Sequence, residues 1–301
     1  MEDLVLIDLN GTLISDYATE IVFTTAQQIA FKKRVDLLND AGIQVGIASD
    51  SPLEQLFELL DRLNIDRTAP VLAENGNIFW NGSKIQFIRE FSPEIIASIK
   101  EQITALANDS GLGAPQDIIA KEFLGYPNDF TQMWGYGINR KASVSVFGQG
   151  DFLIQASEIA RTVLETHGIE KAIDFSIDCA PEFNYLGIHP GRDFQHGKRI
   201  SIAELIDPDG AGLTGRKIWM IGNSNSDFVG TETEGAKSLF VAGSRLTDEV
   251  LTANPFKSEA EDFEGTIDCL DQILLEIGID PAVIESLSSP QAGDNSTHGL
   301  I

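Results

Sequence analysis

The chain has 301 residues, long enough for one large domain or two smaller ones, and its 43% hydrophobic content suits an ordinary packed core. Asp and Glu number 46 against 21 Lys and Arg, a net charge of −25, which disfavours nucleic acid and anionic membranes as partners because phosphate-rich surfaces need basic counterparts. Cys179 and Cys269 are too few and too far apart for a disulfide framework or a zinc site, and no segment approaches a membrane span, so a cytoplasmic location is the simplest expectation.

Residues 4–9 form a short apolar run that reads as a buried strand ending in Asp8-Leu9-Asn10-Gly11-Thr12. Residues 20–41 carry a helical pattern that stops at Gly42, and 43–48, "IQVGIA", form a second buried strand. Ser51 and Pro52 suit the cap and first position of a helix running through Leu63. "PVLAENG" gives a third strand and a turn, and Asn81-Gly82 is a hairpin signal. A helix is expected from Pro93 to Asn108, and loops over 111–139. "KASVSVF" alternates as a half-exposed antiparallel strand, 151–167 reads as a helix, and "AIDFSID" and "FNYLGIHP" are strand candidates. "GKRISIAELI" then opens a helix, "KIWMIGNS" and "SLFVAG" are strands, "TIDCLDQILLEIG" is a closing helix, and the end is rich in Ser, Pro, Asn and Gly.

The strand–helix alternation at both ends predicts an α/β fold, a Rossmann-like parallel sheet core interrupted by an α+β cap. The expected boundaries are 1–83 for the first part of the core, 84–190 for the cap, 191–285 for the second part, and 286–301 for a flexible tail.

In an open parallel sheet, ligands collect at the carboxyl ends of the strands. Three strand ends here carry polar groups: Asp8, then Ser49 in "GIASDS", then "GNSNSD" at 222–227. Lys198 sits at a helix start just before the last of these. A carboxylate, a hydroxyl, a cation and a second polar loop are the parts of a phosphate-handling site.

In this order the motifs resemble those of the haloacid dehalogenase superfamily of phosphohydrolases, over nearly the whole chain. The family's DxDGT is matched by "DLNGT", its strand-end Ser or Thr by Ser49, its Lys by Lys198, with Lys217 a nearby alternative, and its GDxxND by "GNSNSD". The insertion lies where the branch of Cof-type, sucrose-phosphate and mannosyl-3-phosphoglycerate phosphatases carries its cap, and "AENG" resembles that branch's "ENGA". The resemblance implies that Asp8 attacks phosphorus to form an aspartyl-phosphate, and that Asn10 stands at the acid–base position. It implies that Lys198 neutralises charge, and that Ser49, Gly11, Thr12 and neighbouring backbone amides contact phosphate. Mg²⁺ would be held by Asp8, the backbone carbonyl of Asn10, Asn223 and Asp227.

Three departures weigh on this. Asn10 replaces an Asp that would protonate the leaving oxygen and activate water, a role worth ~10²–10⁴-fold in rate. Asn223 replaces a carboxylate by a weaker amide ligand. Asp50 stands where relatives often carry Gly-Arg, and Asn10-Gly11 is a sequence prone to deamidation, which would restore an Asp. On the cap, Arg140, Lys141 and Ser143 could contact a distal anion or hydroxyl, or simply form an exposed strand edge. Trp134, Tyr136 and Phe147 suit a cap core, and His189, Arg192 and His196 lie at the return to the core. The expected function is Mg²⁺-dependent hydrolysis of a small phosphorylated metabolite, a sugar phosphate or sugar-linked phosphoglycerate. The alternative is an impaired relative that binds a phosphorylated ligand or a protein partner in regulation.

Overall fold

The computed structural model describes residues 2–16, 18, 20–119, 133–169, 177–180, 183–190, 197–206, 216–229 and 234–288. The first strand, β1 (Asp3–Ile7), has no polar face because both of its faces are covered. Val5 and Ile7 point into one apolar cluster with Phe31, Leu56 and Ile267, while Leu4 and Leu6 point into another with Ile202, Leu205 and Met220. β11 (Ile218–Ser224) divides its side chains in the same way, Trp219 and Ile221 against Ile218 and Met220.

These strands belong to an eight-stranded sheet of order β13-β12-β11-β1-β2-β3-β4-β5. It is parallel from β13 (Phe256–Lys257) through β12 (Ala236–Arg245), β11, β1 and β2 (Ile43–Ala48) to β3 (Val71–Ala73). β4 (Ile78–Trp80) and β5 (Ile85–Phe87) then close one side as an antiparallel hairpin. Asn81 builds the turn between them, its Oδ1 accepting from the amides of Ser83 and Lys84. The chain runs outward from β1 one way and returns through β11 the other way, so the switch point of the sheet lies between β1 and β11.

On one face lie α1 (Thr25–Asp40), α2 (Leu53–Arg62), α7 (Asp262–Glu276) and α8 (Pro281–Ser288). Thr24 starts α1 with a capping box shared with Gln27. The wholly buried Arg34 ties α1 to α7 through a two-pronged ion pair with Asp271 at 2.7 and 2.8 Å. α5 (Gly197–Ile206) covers the opposite face. Ser51 does not cap α2: the capping position is Pro52, and the Ser51 amide donates instead to Ser49 Oγ at 3.3 Å.

A second sheet of order β6-β7-β8-β10-β9 forms the cap, from β6 (Gln116–Ile118), β7 (Gly135–Gly137), β8 (Val144–Phe147), β9 (Ile177–Ala180) and β10 (Phe183–Ile188). α3 (Pro93–Asp109) and α4 (Gly150–Thr166) pack on it around Ile99, Ile103, Trp134, Val146, Leu153 and Leu186. Three expectations change here. β5 belongs to the first sheet, so the chain leaves that sheet after Phe87 rather than at residue 84. β8 is buried on both faces rather than half-exposed, because α3 and α4 cover one side and the first sheet's loops approach the other. Residues 286–288, expected to begin a loose tail, close α8. Among the described residues, no helix is long and apolar enough to cross a membrane.

Candidate active site

The carboxyl ends of β1, β2 and β11 open into a cavity of about 300 Å³ roofed by the cap. Its floor is a chain of three buried charges. Lys198, from the first turn of α5, donates to Asp8 Oδ1 at 2.6 Å and to Asp227 Oδ1 at 2.7 Å. Lys198 is 3% exposed and Asp227 wholly buried, so the ammonium is the counter-charge that makes burial of two carboxylates tolerable. Burial alone would depress Lys198, yet the attraction of Asp227 and Asp8 outweighs it and holds the ammonium above its usual value. Burial acts in the other direction on Asp8, lifting its carboxyl to about 7 against the pull of Lys198, with the Asp227 charge adding to the lift. Lys217 does not compete for this role: it is exposed at the start of β11, at the far end of that strand from the cavity.

Local structure explains how Asp227 gets there. Ser224 ends β11 and caps a short turn over Asn225–Asp227, and Asp227 folds back on it. Its Oδ2 accepts from the amides of Asn223 and Ser224, both at 3.1 Å, and from Ser224 Oγ at 2.9 Å. Gly222 permits this, since a Cβ there would lie 2.2 Å from the Asp227 side chain.

Asn10, Ser49, Asp50, Arg140 and Asn223 line the same cavity. Gly11 and Thr12 do not, which corrects their expected contact with substrate. Gly11 lies under Asn223, in a left-handed conformation (φ +70°), and a Cβ would meet the Asn223 amide at 1.8 Å. The amides of three residues serve the loop itself: Gly11 donates to Ile14 O at 2.6 Å, and Thr12 and Leu13 donate to Leu9 O at 3.3 and 2.9 Å. They are therefore not free to cradle phosphate. The bond from Gly11 also fixes the nitrogen that would have to attack Asn10 during deamidation.

Asp227 cannot serve as the expected Mg²⁺ ligand, because Lys198 takes one oxygen and three donors take the other. Asp8 has already given an oxygen to Lys198, Asn10 offers a neutral backbone carbonyl, and the Asn223 side chain is a neutral amide. Among the described residues, no three acidic, His or Cys side chains gather as a metal site. This donor set does not fit a resident Mg²⁺, which favours anionic oxygens in near-octahedral array.

The wall opposite the floor is a second charge cluster, in which sequence reasoning missed Tyr185, Gln55 and Ser145. Asp50, beyond β2, accepts from Arg140 Nη1 at 2.9 Å and from the Tyr185 hydroxyl. Arg140 also donates to Ser143 Oγ at 3.1 Å and to the Tyr185 oxygen at 2.9 Å. Its side chain is 7% exposed, so Arg140 is not part of an open strand edge. Although burial opposes ionisation of Asp50, Arg140 and His189 hold it below the usual carboxylate range. His189 Nε2 lies 3.3 Å from Asp50 Oδ1, yet burial drives the imidazole down to about 4, so the ring is neutral. Beside this cluster, buried Glu74 accepts from the amides of Lys141, Ala142 and Ser143 and from Ser143 Oγ, fastening the cap loop to the core. Two polar atoms of lining residues, Gln55 Oε1 and Ser145 Oγ, are buried with no hydrogen-bond partner among the described residues. Phe147 packs tilted against Tyr185, ring centres 5.2 Å apart, to form an aromatic side of the wall, whereas Trp134 and Tyr136 belong to the cap core. Arg192 and His196 lie outside the described residues.

Comparison with known proteins bears on this geometry. Residues 5–118, which hold Asp8, Asn10, Ser49 and Glu74, match the family of haloacid dehalogenase-like hydrolases. Over those residues the chain is similar to that family. No curated protein matches the chain. Among solved structures, a haloacid dehalogenase-like hydrolase from Bacteroides thetaiotaomicron has a TM-score of 0.61 at 18% identity, over 91% of this chain and 100% of that one. A Thermoplasma acidophilum protein has a TM-score of 0.55 at 18% identity, over 93% and 100%. A trehalose-6-phosphate phosphatase related protein has a TM-score of 0.52 at 12% identity, over 91% and 99%. At these identities the likeness is one of fold alone, shared along almost the whole chain.

Proposed function

We propose that this haloacid dehalogenase-like hydrolase cleaves the phosphate monoester of a small phosphorylated metabolite, with Asp8 as nucleophile. The observation that carries the reading is the buried Asp8–Lys198–Asp227 chain at the floor of a capped cavity. An oxygen of Asp8 would attack phosphorus, the bond from phosphorus to the ester oxygen would break, and the alkoxide would leave. Water would then cleave the aspartyl-phosphate, releasing inorganic phosphate and restoring Asp8. Lys198 offsets negative charge on the nucleophile and the transferring group, and Asp227 holds Lys198 in place. Asn10 has no proton to give to the leaving oxygen and cannot take one from water, so both steps run without side-chain acid–base help, at a cost of ~10²–10⁴-fold.

The cap wall supports a neutral, hydroxyl-bearing leaving group such as a sugar over one carrying a second anion. Arg140 is already matched by Asp50, while Ser145 Oγ and Gln55 Oε1 remain buried with no partner among the described residues. The second reading, a ligand-binding relative that has lost turnover, is favoured by Asn10 and Asn223 together.

The test is phosphate release from a panel of sugar phosphates by wild type, Asp8→Asn and Asn10→Asp. Slow release by wild type, none by Asp8→Asn and faster release by Asn10→Asp are expected. Release confined to Asn10→Asp would establish the second reading, and release that survives Asp8→Asn would remove the nucleophile assigned here.

A further inference from the structure

We infer that the site holds the phosphate group without a divalent cation, the amides of Asn10 and Asn223 standing where carboxylates would demand one. The inference rests on the phosphate-ester reading above and concerns only how the phosphate is held.

The first argument is charge. The floor consists of two carboxylates and one ammonium, Asp8, Asp227 and Lys198, a single net negative charge. The other charged side chains lining the cavity neutralise one another in pairs: Asp50 with Arg140 at 2.9 Å, and Asp16 with Arg245 at 3.5 Å. Carboxylates at positions 10 and 223 would add two negative charges beside Asp8, and a bound divalent cation would cancel those two. With amides at both positions the chain reaches the same balance on its own. An electrostatic reason for a cation to reside there is thereby removed.

The second argument is ligand supply. Asp227 is saturated by Lys198, two amides and a hydroxyl, and Asp8 shares an oxygen with Lys198, so this pair leaves one carboxylate oxygen for a metal. The third is what the amides offer instead. A side-chain NH₂ donates to a phosphate oxygen that a carboxylate would repel. Asn10 Oδ1 is buried without a partner among the described residues, an acceptor suited to the P–OH of a phosphate monoanion. Asn223 reaches over Gly11 toward the same place, and both residues line the cavity beside Lys198.

The probe is inorganic phosphate, titrated calorimetrically into the full chain in chelator and again in millimolar Mg²⁺, with Mg²⁺ alone as a third titration. Wild type should bind phosphate with the same affinity in both buffers, within about twofold, and give no heat of binding with Mg²⁺ alone. The double variant Asn10→Asp, Asn223→Asp should bind phosphate about tenfold or more weakly in chelator, because of like charge at contact distance, and recover in Mg²⁺. The Mg²⁺-alone titration uses only wild type, so it decides the matter even where the double variant folds poorly. Phosphate binding by wild type that requires Mg²⁺, or saturable Mg²⁺ binding without phosphate, would overturn the inference and leave the phosphate-ester reading standing. No phosphate binding in either buffer would overturn both.

Discussion

The floor and the wall of the cavity are both buried charge clusters, but they are assembled differently. At the floor, Asp8, Lys198 and Asp227 project from strand ends and a helix start of one sheet, and each carboxylate is held by Lys198. On the wall, Asp50 of the core meets Arg140 and Tyr185 of the cap, across 90 and 135 residues of sequence. The floor leaves a net charge facing the cavity, suited to reacting with phosphorus. The wall cancels its charge internally, which suits fastening one layer to another and presenting neutral groups to a ligand. Reactive charge thus sits on the rigid sheet, and matched charge sits where the two layers join.

Breaking the floor should cost most. Lys198→Met leaves Asp8 and Asp227 buried without a cation, and a loss of ~3–5 kcal/mol in unfolding free energy is expected by urea denaturation, together with all turnover. A loss under about 1 kcal/mol, the range of surface pairs, would show that the ammonium does not hold the two carboxylates.

Breaking the wall should cost less, because Asp50 is 27% exposed at its side chain and water can screen what remains. Asp50→Asn should lose about 1–3 kcal/mol by stranding Arg140. The double variant Asp50→Leu, Arg140→Met should lose less than the two single changes summed, and strict additivity in that cycle would mean that the pair does not couple layer to layer.

Acidification separates the clusters in a second way. The folded protein holds His189 near 4 against an ordinary 6.5, so folding favours the neutral ring. The His189 contribution is complete above 6.5, declines as pH falls from 6.5 to about 4, and is flat below, amounting to up to roughly 3 kcal/mol. Asp8 has the opposite slope, because its raised carboxyl costs stability as pH climbs from 3.8 toward 7. The difference between wild type and His189→Gln in denaturation curves taken across this range isolates the histidine, and parallel curves would refute its assignment. The smallest effect is a null one. With the Gly11 amide fixed on Ile14 O, peptide mass spectrometry of aged protein should find Asn10 unconverted, and conversion would mean that this loop opens.

The floor was legible in the sequence because strand-end chemistry travels with local pattern. An apolar run names the strand, the next polar residue lies at its tip, and the switch point of a parallel sheet gathers such tips. Asp8, Ser49, Lys198 and the 222–227 loop could each be placed this way. Their finer assignments could not. Gly11 and Thr12 turn their amides into the loop, and Asp227 spends both oxygens on near neighbours, details set by hydrogen bonds that a motif does not encode. The wall was less legible. Tyr185 reads as one more residue of a strand, Gln55 as a polar position in a helix, and Glu74 as part of a turn, until the cap folds over them. Asp50, Arg140, Ser143, His189 and Phe147 stand out in the sequence, but nothing in their spacing says that they meet.

The central claim, that Asp8 attacks phosphorus, is tested most directly by acid-quenched mass spectrometry during turnover of an aryl phosphate. An aryl leaving group departs without a proton from residue 10, so the first step proceeds while Asn10 still slows the attack of water. The account predicts one phosphoryl group on the peptide containing Asp8, accumulating in wild type and absent in Asp8→Asn. Turnover with that peptide unmodified throughout would contradict it.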